Sequence, residues 1–305
     1  MSLYLIQGAV EEGFIYAFVA LGLFVSYRVL NIADLTTDGT FALGGVVSAV
    51  VTAAGHPFLS LPIAMAAGMG AGLITAFLQT KLRVAPILAG IITMTALYSI
   101  NLMVMGGAPN MYFPRQATIF TLAEGLLGKQ YAKLIVLAVV AIGAGILLCL
   151  FFSIQLGLSI RATGDNPAMV RASSVNPAFT TTVGLCMANG FTAIGGALLA
   201  QSTTQGDINI GTGTVVIGLA SLILGGIVFR RGQIWAGVAA AIFGSVVYRM
   251  VLTVALRTTT NAGYLKLVSA AIVALVIAYP AIRDMTGELV RRRKGRAAGA
   301  DTAKH

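Results

Sequence analysis

Charged residues are scarce in this 305-residue chain, because Asp, Glu, Lys and Arg make up 10% of it and hydrophobic residues 57%. Soluble domains carry roughly 25% charged residues. This composition excludes a soluble enzyme and a disordered chain, and the net charge of +10 does not indicate a nucleic-acid-binding domain. Five runs without charge are long enough to cross a bilayer as helices of roughly 20 residues: 39–80, 84–114, 134–160, 172–206 and 208–229.

The residues of catalytic and metal-binding sites are nearly absent as well. The sequence has only two histidines, His56 and His305, and no G-x-x-x-x-G-K-[ST] phosphate loop. Its two cysteines, Cys149 and Cys186, lie within apolar runs, as is typical of small buried hydrophobic residues. We therefore predict no catalytic residue, no metal site and no cofactor bound by this chain. Active transport would need an ion gradient or energy from another subunit.

The apolar runs, broken by Gly, Pro, Asn and charge, predict about nine membrane crossings or part-crossings. The second and the seventh are short for a complete crossing. We expect an all-α polytopic membrane protein, with a transmembrane domain at 1–282 and a disordered basic tail at 283–305. The predicted segments are 8–29, 41–54, 60–80, 84–104, 131–152, 178–202, 213–229, 232–256 and 263–282.

The basic residues predict the orientation of the bundle. If the loop at 157–177 is cytoplasmic and the crossings alternate, most of the 20 basic residues lie at the inner face. This places the N-terminus outside and the C-terminus in the cytoplasm. The tail sequence RRRKGR at 291–296 is then an anchor near anionic lipid, and we expect no nucleic-acid partner.

Two polar segments share a pattern that suggests an internal repeat. Residues 31–40 (NIADLTTDGT) and 205–214 (QGDINIGTGT) each follow a long apolar helix and precede a short one. The predicted topology puts the first at the inner face and the second at the outer face, as in transporters built from inverted repeats. Chance similarity between two glycine-rich turns is the alternative.

The loop at 157–177, GLSIRATGDNPAMVRASSVNP, contains a predicted short helix. Asn166 is a favourable N-cap and Pro167 a favourable first helical residue, so the helix should run to about Ser174. Its small apolar side chains would lie just inside the membrane and suit a protein partner. An ordinary interfacial amphipathic loop is the alternative.

This loop resembles the coupling loop of permease subunits of bacterial ATP-binding cassette (ABC) importers, in the branched-chain amino acid and ribose permease superfamily. Three further runs resemble a subgroup of amino-acid permeases, often associated with aromatic amino acids: DLTTDGTFALG at 34–44, KLRVAPILAGI at 81–91 and MTALYSINL at 94–102. The resemblance covers about residues 8–282. It implies an inverted-repeat ABC importer permease fold in the bacterial inner membrane.

The resemblance also implies partners. Two permease copies would form the pathway, two ATPase subunits carrying ATP and Mg²⁺ would bind the inner face, and an extracytoplasmic binding protein would deliver the solute. The helix after Asn166 would sit in a cleft of the ATPase. The residues expected to couple to it are Arg161, Gly164, Asp165, Asn166, Pro167, Ala168, Met169 and Arg171.

Polar residues within or beside the crossings are candidates for the pathway or for gating, because charge is costly there. Each has a structural alternative, such as helix capping, hydrogen bonding between helices or a position at the headgroups. The candidates are Glu12, Asp34, Thr36, Asp38, Asn101, Asn189, Asp207 and Arg249.

The importer permease, for an amino acid or a similar small solute, is the first functional hypothesis. A transporter that works alone on an ion gradient is the second, supported by the acidic residues in the crossings and by the two similar polar segments at 31–40 and 205–214. A membrane scaffold or receptor component is the third, and the polar breaks and abundant glycine disfavour it. The loop at 157–177 discriminates between the first two.

Overall fold

The computed structural model describes residues 3–128, 130–229 and 233–257, and the single positions 270, 271, 274 and 278. These residues are helical apart from turns and one pair of short strands. The elements are α1 (Leu3–Leu23), a π-helical continuation π1 (Phe24–Val29), α2 (Thr36–Ala53), α3 (Pro57–Thr80), α4 (Pro86–Val104), β1 (Asn110–Tyr112), α5 (Ile119–Leu127), α6 (Ala132–Ser153), α7 (Gln155–Asp165), α8 (Pro167–Ala172), α9 (Pro177–Thr203), β2 (Gln205–Asp207), α10 (Thr214–Val228) and α11 (Ile234–Arg257).

The first eight predicted crossings correspond to helices of the structure, and the all-α membrane fold is confirmed. Within the described residues, six helices are long and apolar enough to span a membrane, beginning with Tyr4–Val29. The predicted short crossings are α2, with 18 residues, and α10, with 15. α2 begins earlier than predicted, at Thr36, because the polar segment before it supplies its first turn. The ninth crossing and the tail lie outside the described residues, except for four single helical positions.

α9 is the most buried of the six spanning helices, and α1, α2 and α3 pack around it. Small residues allow this close packing. A methyl group on Gly44 of α2 would overlap the backbone of Ala193, and one on Gly72 of α3 would overlap the carbonyl of Leu185. The backbones of α2 and α3 therefore lie directly against α9.

α1 and α9 cross the bundle in opposite directions. Gly22, near the end of α1, packs against Ala188, whereas Gly195, further along α9, packs against Ile15 and Phe18. Each helix is followed by a polar segment and then by a short helix, α2 or α10. α1 and α9, the helices that precede the two polar segments, therefore have the opposite directions that an inverted repeat predicts.

The sequence predicts the two polar segments at opposite faces of the membrane. This prediction is wrong for the C-terminal ends of the segments, because these ends are in contact. Gly211 of the second segment lies against the backbone carbonyl of Asp38, so closely that an added methyl would overlap it. Both segments enter the bundle, where buried N–H groups at the start of a helix need acceptors. As a result, the beginnings of α2 and α10 are in contact.

A short strand that follows α4 pairs with one that follows α9. β1 and β2 are antiparallel, with Met111 opposite Gly206, and α5 begins nearby at a capping box formed by Thr118 and Thr121. These elements were not predicted. The chain forms two compact units, 1–253 and 254–305. The described residues of the second unit are helical, and the predicted boundary at 282 lies beyond the continuously described chain.

Candidate functional site

Asp34 lies buried between π1 and α2, with 2% of its surface exposed. Its Oδ1 accepts a hydrogen bond from the Thr36 N–H (2.9 Å), and its Oδ2 accepts one from Asn189 Nδ2 (2.7 Å). Asn189 Oδ1 accepts from the hydroxyl of Thr40 (2.8 Å), and the hydroxyls of Thr36 and Thr75 are also 2.8 Å apart. This network joins α2, α3 and α9. Asn189 lies about 12 residues along α9, roughly 18 Å from its start, and so at membrane depth.

Asp38, one turn after Asp34, holds the start of α10. Its Oδ2 accepts from the Gly213 N–H (2.9 Å), and its Oδ1 accepts from the Thr214 hydroxyl (2.9 Å) and the Val215 N–H (2.8 Å). The first N–H groups of a helix have no partner within it, and the positive end of the helix dipole favours an anion. Asp38 therefore caps α10 from another helix.

Glu12, Arg249 and two aromatic rings form a third polar cluster, between α1, α2 and α11. Arg249 Nη1 donates to Glu12 Oε2 at 2.9 Å, and its guanidinium carbon lies 3.6 Å from the centre of the Tyr16 ring. Tyr16 stacks on Phe41. The Glu12 side chain is 52% exposed and that of Arg249 is 12% exposed. The cluster therefore offers an accessible carboxylate and a mostly buried cation, and the Tyr16 ring is buried beneath that cation.

Among the described residues, buried polar atoms without a hydrogen-bond partner occur in this cluster, on the residue next to Arg249 and in α4. Neither Arg249 Nε nor the Tyr248 hydroxyl has a hydrogen-bond partner among the described residues. The same holds for both amide atoms of Asn101, which is 1% exposed. Asp207 has a local role, because its Oδ1 accepts from the Asn209 N–H at 2.8 Å. The structure thus separates Asn101 and Asp207 from the other candidates.

The predicted coupling loop contains two helices, α7 and α8, where the sequence predicts one. α8 ends at Ala172, slightly before the predicted end. Asn166 caps it as expected, since its Oδ1 accepts from the N–H groups of Ala168 and Met169, each at 3.1 Å. Met169 is 64% exposed, and Pro167 and Ala168 are also exposed. α8 therefore presents a small apolar surface outside the bundle.

The opposite side of this segment is anchored in the bundle. Val170 is buried, and the hydroxyls of Thr163 and Thr180 are 2.7 Å apart. Gly164 lies against the carbonyl of Val29, where an added methyl would overlap that oxygen. The close approach explains a glycine at this position. It links α7 to the end of the first spanning helix.

The three charged residues predicted for coupling have different surroundings. Asp165 and Arg171 are exposed, whereas Arg161 is partly buried. The sequence analysis did not identify Tyr16, Thr214 or the close approach of Gly164 to the first helix. Tyr16 follows Glu12 at the four-residue spacing that places side chains on one face of a helix, so this signal was available.

Long apolar helices with polar breaks between them define a multi-pass membrane protein. The sequence matches the family described as branched-chain amino acid transport system / permease component over residues 5–279, and the chain belongs to this family. It is therefore a permease component of an ABC-type system for small solutes, not an enzyme. Permeases of this family work in general with ATPase and solute-binding partners.

Several characterised and uncharacterised proteins are similar to this chain. A tyrosine transport system permease protein of Clostridioides difficile is 32% identical over 227 residues, which are 74% of each chain. An uncharacterized protein of Rickettsia prowazekii is 33% identical over 72% of this chain and 76% of its own. A galactose/methyl galactoside import permease protein of Haemophilus influenzae is 28% identical over 55% of this chain and 50% of its own. No solved structure matches.

Proposed function

We propose that this chain is the permease of an importer for an amino acid or similar small solute, driven by ATP that a separate subunit hydrolyses. The observation that carries the proposal is the α7–α8 segment, which is exposed on one side and anchored in the bundle on the other. ATP and Mg²⁺ bind the partner ATPase in this proposal, and this chain holds neither.

The apolar side chains of Ala168 and Met169 are the contact that a cleft in the ATPase would cover. Exposed apolar surface beside polar residues is typical of an interaction site. Asp165 and Arg171, both exposed, flank this surface and supply polar contacts. Asn166 and Pro167 fix where α8 begins, because the amide caps the helix and the ring presets its first φ angle.

Movement of α8 would reach the pathway through rigid contacts. Gly164 touches the backbone of π1, and Thr163 is hydrogen-bonded to Thr180 near the start of α9. Packed interiors deform little, so a displacement of this segment is transmitted to α1 and α9. Closure of the ATPase thereby shifts the bundle between outward-open and inward-open states, provided that ATP favours one state over the other.

The cluster around Arg249 supports an amino acid as the solute. A zwitterion carries an ammonium group for Glu12 and a carboxylate for Arg249. The named function of the Clostridioides difficile relative agrees with this choice. The sugar permease among the relatives indicates that the family accepts other small polar solutes.

The proposal includes the assembly and its orientation. Two copies of this chain enclose the pathway, and an extracytoplasmic binding protein delivers the solute to the outer side. The chain lies in a bacterial inner membrane, with its N-terminus outside and its C-terminus in the cytoplasm. The predominance of basic residues on the proposed inner side supports this orientation.

Co-purification tests the coupling role. The permease is co-expressed with the phosphate-loop ATPase encoded nearest to it and purified by affinity. We expect Met169→Asp to reduce the retained ATPase at least tenfold, because a buried unpaired charge at the contact costs several kcal/mol. Met169→Leu is the matched control and should retain it, since this change preserves volume and polarity.

Two outcomes would contradict the proposal. Equal retention by the Asp and Leu variants would remove α8 from the contact. Failure of the wild-type chain to retain any ATPase, together with uphill solute accumulation by this chain alone in vesicles, would establish the ion-gradient alternative. The solute itself is identified by measuring which amino acid stabilises the co-encoded binding protein against heat.

A further inference from the structure

A cavity opens between the end of α6, α7 and the start of α11. Its volume is about 450 Å³. It lies beside the coupling segment but away from the exposed apolar face of α8, whose residues do not line it. The residues that line it are Phe152, Ser153, Leu158, Arg161, Gln233, Ile234 and Trp235.

The polar side of this cavity suits an anion. Among the residues that the structure describes, Arg161 is the only charged one in the lining, and no carboxylate lies within ion-pair distance of it. The Gln233 side chain has no hydrogen-bond partner in the described part of the chain, so its amide N–H groups are available. The Ser153 hydroxyl already donates to the Cys149 carbonyl at 3.0 Å and leaves only acceptor positions. The available donors are therefore a guanidinium and an amide.

The other side of the cavity is apolar and open to the surroundings. Leu158 is 49% exposed and Trp235 is 54% exposed, and Ile154, between α6 and α7, is exposed beside them. The cavity lies at the end of two spanning helices, the depth at which tryptophan is enriched in membrane proteins. At this depth lipid acyl chains would cover these apolar groups.

We propose that this cavity binds the phosphate of an anionic phospholipid headgroup, with Arg161 and Gln233 as donors and the acyl chains along Leu158 and Trp235. A guanidinium is well suited to phosphate, since its N–H groups match two phosphate oxygens. Arg161 is then a lipid-binding residue and not an ATPase contact. The assignment to the inner leaflet and the effect on ATPase coupling rest on the proposed function, whereas lipid binding itself does not.

Bound lipid would also support the coupling segment. Arg161 lies in the middle of α7, three residues before the Gly164 contact with π1. A headgroup held between α7 and α11 links the anchored half of the segment to a second spanning helix. Anionic lipid should therefore stabilise the protein and improve ATPase coupling, while leaving assembly with the ATPase intact.

Lipid titration of the purified permease tests the site without ATPase or ATP. Binding of phosphatidylglycerol and of phosphatidylcholine with identical chains is measured by native mass spectrometry. We expect wild type to prefer phosphatidylglycerol at least fivefold, and Arg161→Gln to abolish that preference. Arg161→Lys should restore part of it, since it keeps the charge. Arg28→Gln removes an exposed cation outside the cavity, and it should change the preference for phosphatidylglycerol less than twofold.

Three results would overturn the proposal. One is an equal lipid preference in wild type and Arg161→Gln, with both variants eluting as folded protein. Another is binding of soluble glycerol phosphate with the same dependence on Arg161, which would make the site one for a free phosphate compound. The third is loss of ATPase retention in Arg161→Gln with lipid binding unchanged, which would return this residue to the ATPase contact. The first two do not depend on whether the importer proposal holds, whereas the third is measured only where the wild-type chain retains the ATPase.

Discussion

Removal of the Asp38 carboxylate should separate the beginnings of α2 and α10. This side chain accepts three hydrogen bonds, from Gly213, Thr214 and Val215, at 2.8 to 2.9 Å. A hydrogen bond to a charged group contributes about 1.5–3 kcal/mol, and the partial exposure of Asp38 favours the lower end. Asp38→Ala leaves two N–H groups and a hydroxyl without this acceptor. We expect it to lower the free energy of unfolding by about 3–5 kcal/mol.

Asp38→Asn separates the effect of losing hydrogen bonds from the effect of losing side-chain volume. One amide oxygen can replace Oδ1 and accept from Thr214 and Val215. The amide nitrogen then faces the Gly213 N–H, so two donors oppose each other, and the anion at the helix start is lost. The expected cost is about 1–3 kcal/mol. Thr214→Val removes a single hydrogen bond and should cost about 0.5–1.5 kcal/mol.

Denaturant titration of the purified protein in mixed micelles measures these differences. Asp207→Asn is the matched control, because Asp207 accepts a hydrogen bond within its own turn and an asparagine oxygen still accepts from the Asn209 N–H. The free energy of unfolding of Asp207→Asn should lie within about 0.5 kcal/mol of that of wild type. A stable Asp38→Ala protein that has lost transport would refute the capping role and make Asp38 part of the pathway.

Two other changes test the anchor of the coupling segment and the cluster at Arg249. Gly164→Ala should destabilise the protein by about 1–3 kcal/mol and reduce ATPase stimulation, because the new methyl overlaps the Val29 carbonyl. Gly143 has open space around it, so Gly143→Ala should be neutral or slightly stabilising. Equal changes in stability from the two substitutions would show that the Gly164 contact does not anchor the coupling segment. Arg249→Gln should cost about 1–3 kcal/mol and lower uptake at least tenfold, by breaking the pair with Glu12. Arg249→Lys with unchanged uptake, measured alongside it, would show that charge alone suffices.

The spanning helices could be predicted from the sequence because their signal is local. A run of apolar residues between charges fixes a crossing, and the ends of α3, α4, α6 and α9 lie within a few residues of those predicted. The cap at the start of α8 is local as well, since Asn166 and Pro167 are adjacent. These features need no knowledge of which helices pack together.

Short amphipathic elements could not be recognised in the same way. α5 has a threonine rather than the usual Glu or Gln at the second position of its capping box, and it is only nine residues long. α7 looks like a polar loop, because its buried residues, Gly157, Ile160 and Thr163, are spaced at three rather than forming an apolar run. Their helical form depends on packing against the bundle.

The contacts of the candidate site are beyond local prediction. Asp38 is bonded to residues more than 170 positions away, and Glu12 to a residue 237 positions away. The sequence identified the charged members of these contacts, because charge in a crossing is rare. It could not distinguish a pathway residue from a cap, since both roles require the same carboxylate at membrane depth.

The way these carboxylates are used bears on the source of energy. Asp34 accepts from the first N–H of α2 and from Asn189, and Asp38 caps α10. A carboxylate that binds and releases a coupling ion must exchange its partners during each cycle. If Asp34 and Asp38 exchanged their partners, the first N–H groups of α2 and α10 would be left without acceptors inside the membrane, at a cost of several kcal/mol. This arrangement favours a bundle whose polar breaks stay capped while an external ATPase moves it through α8.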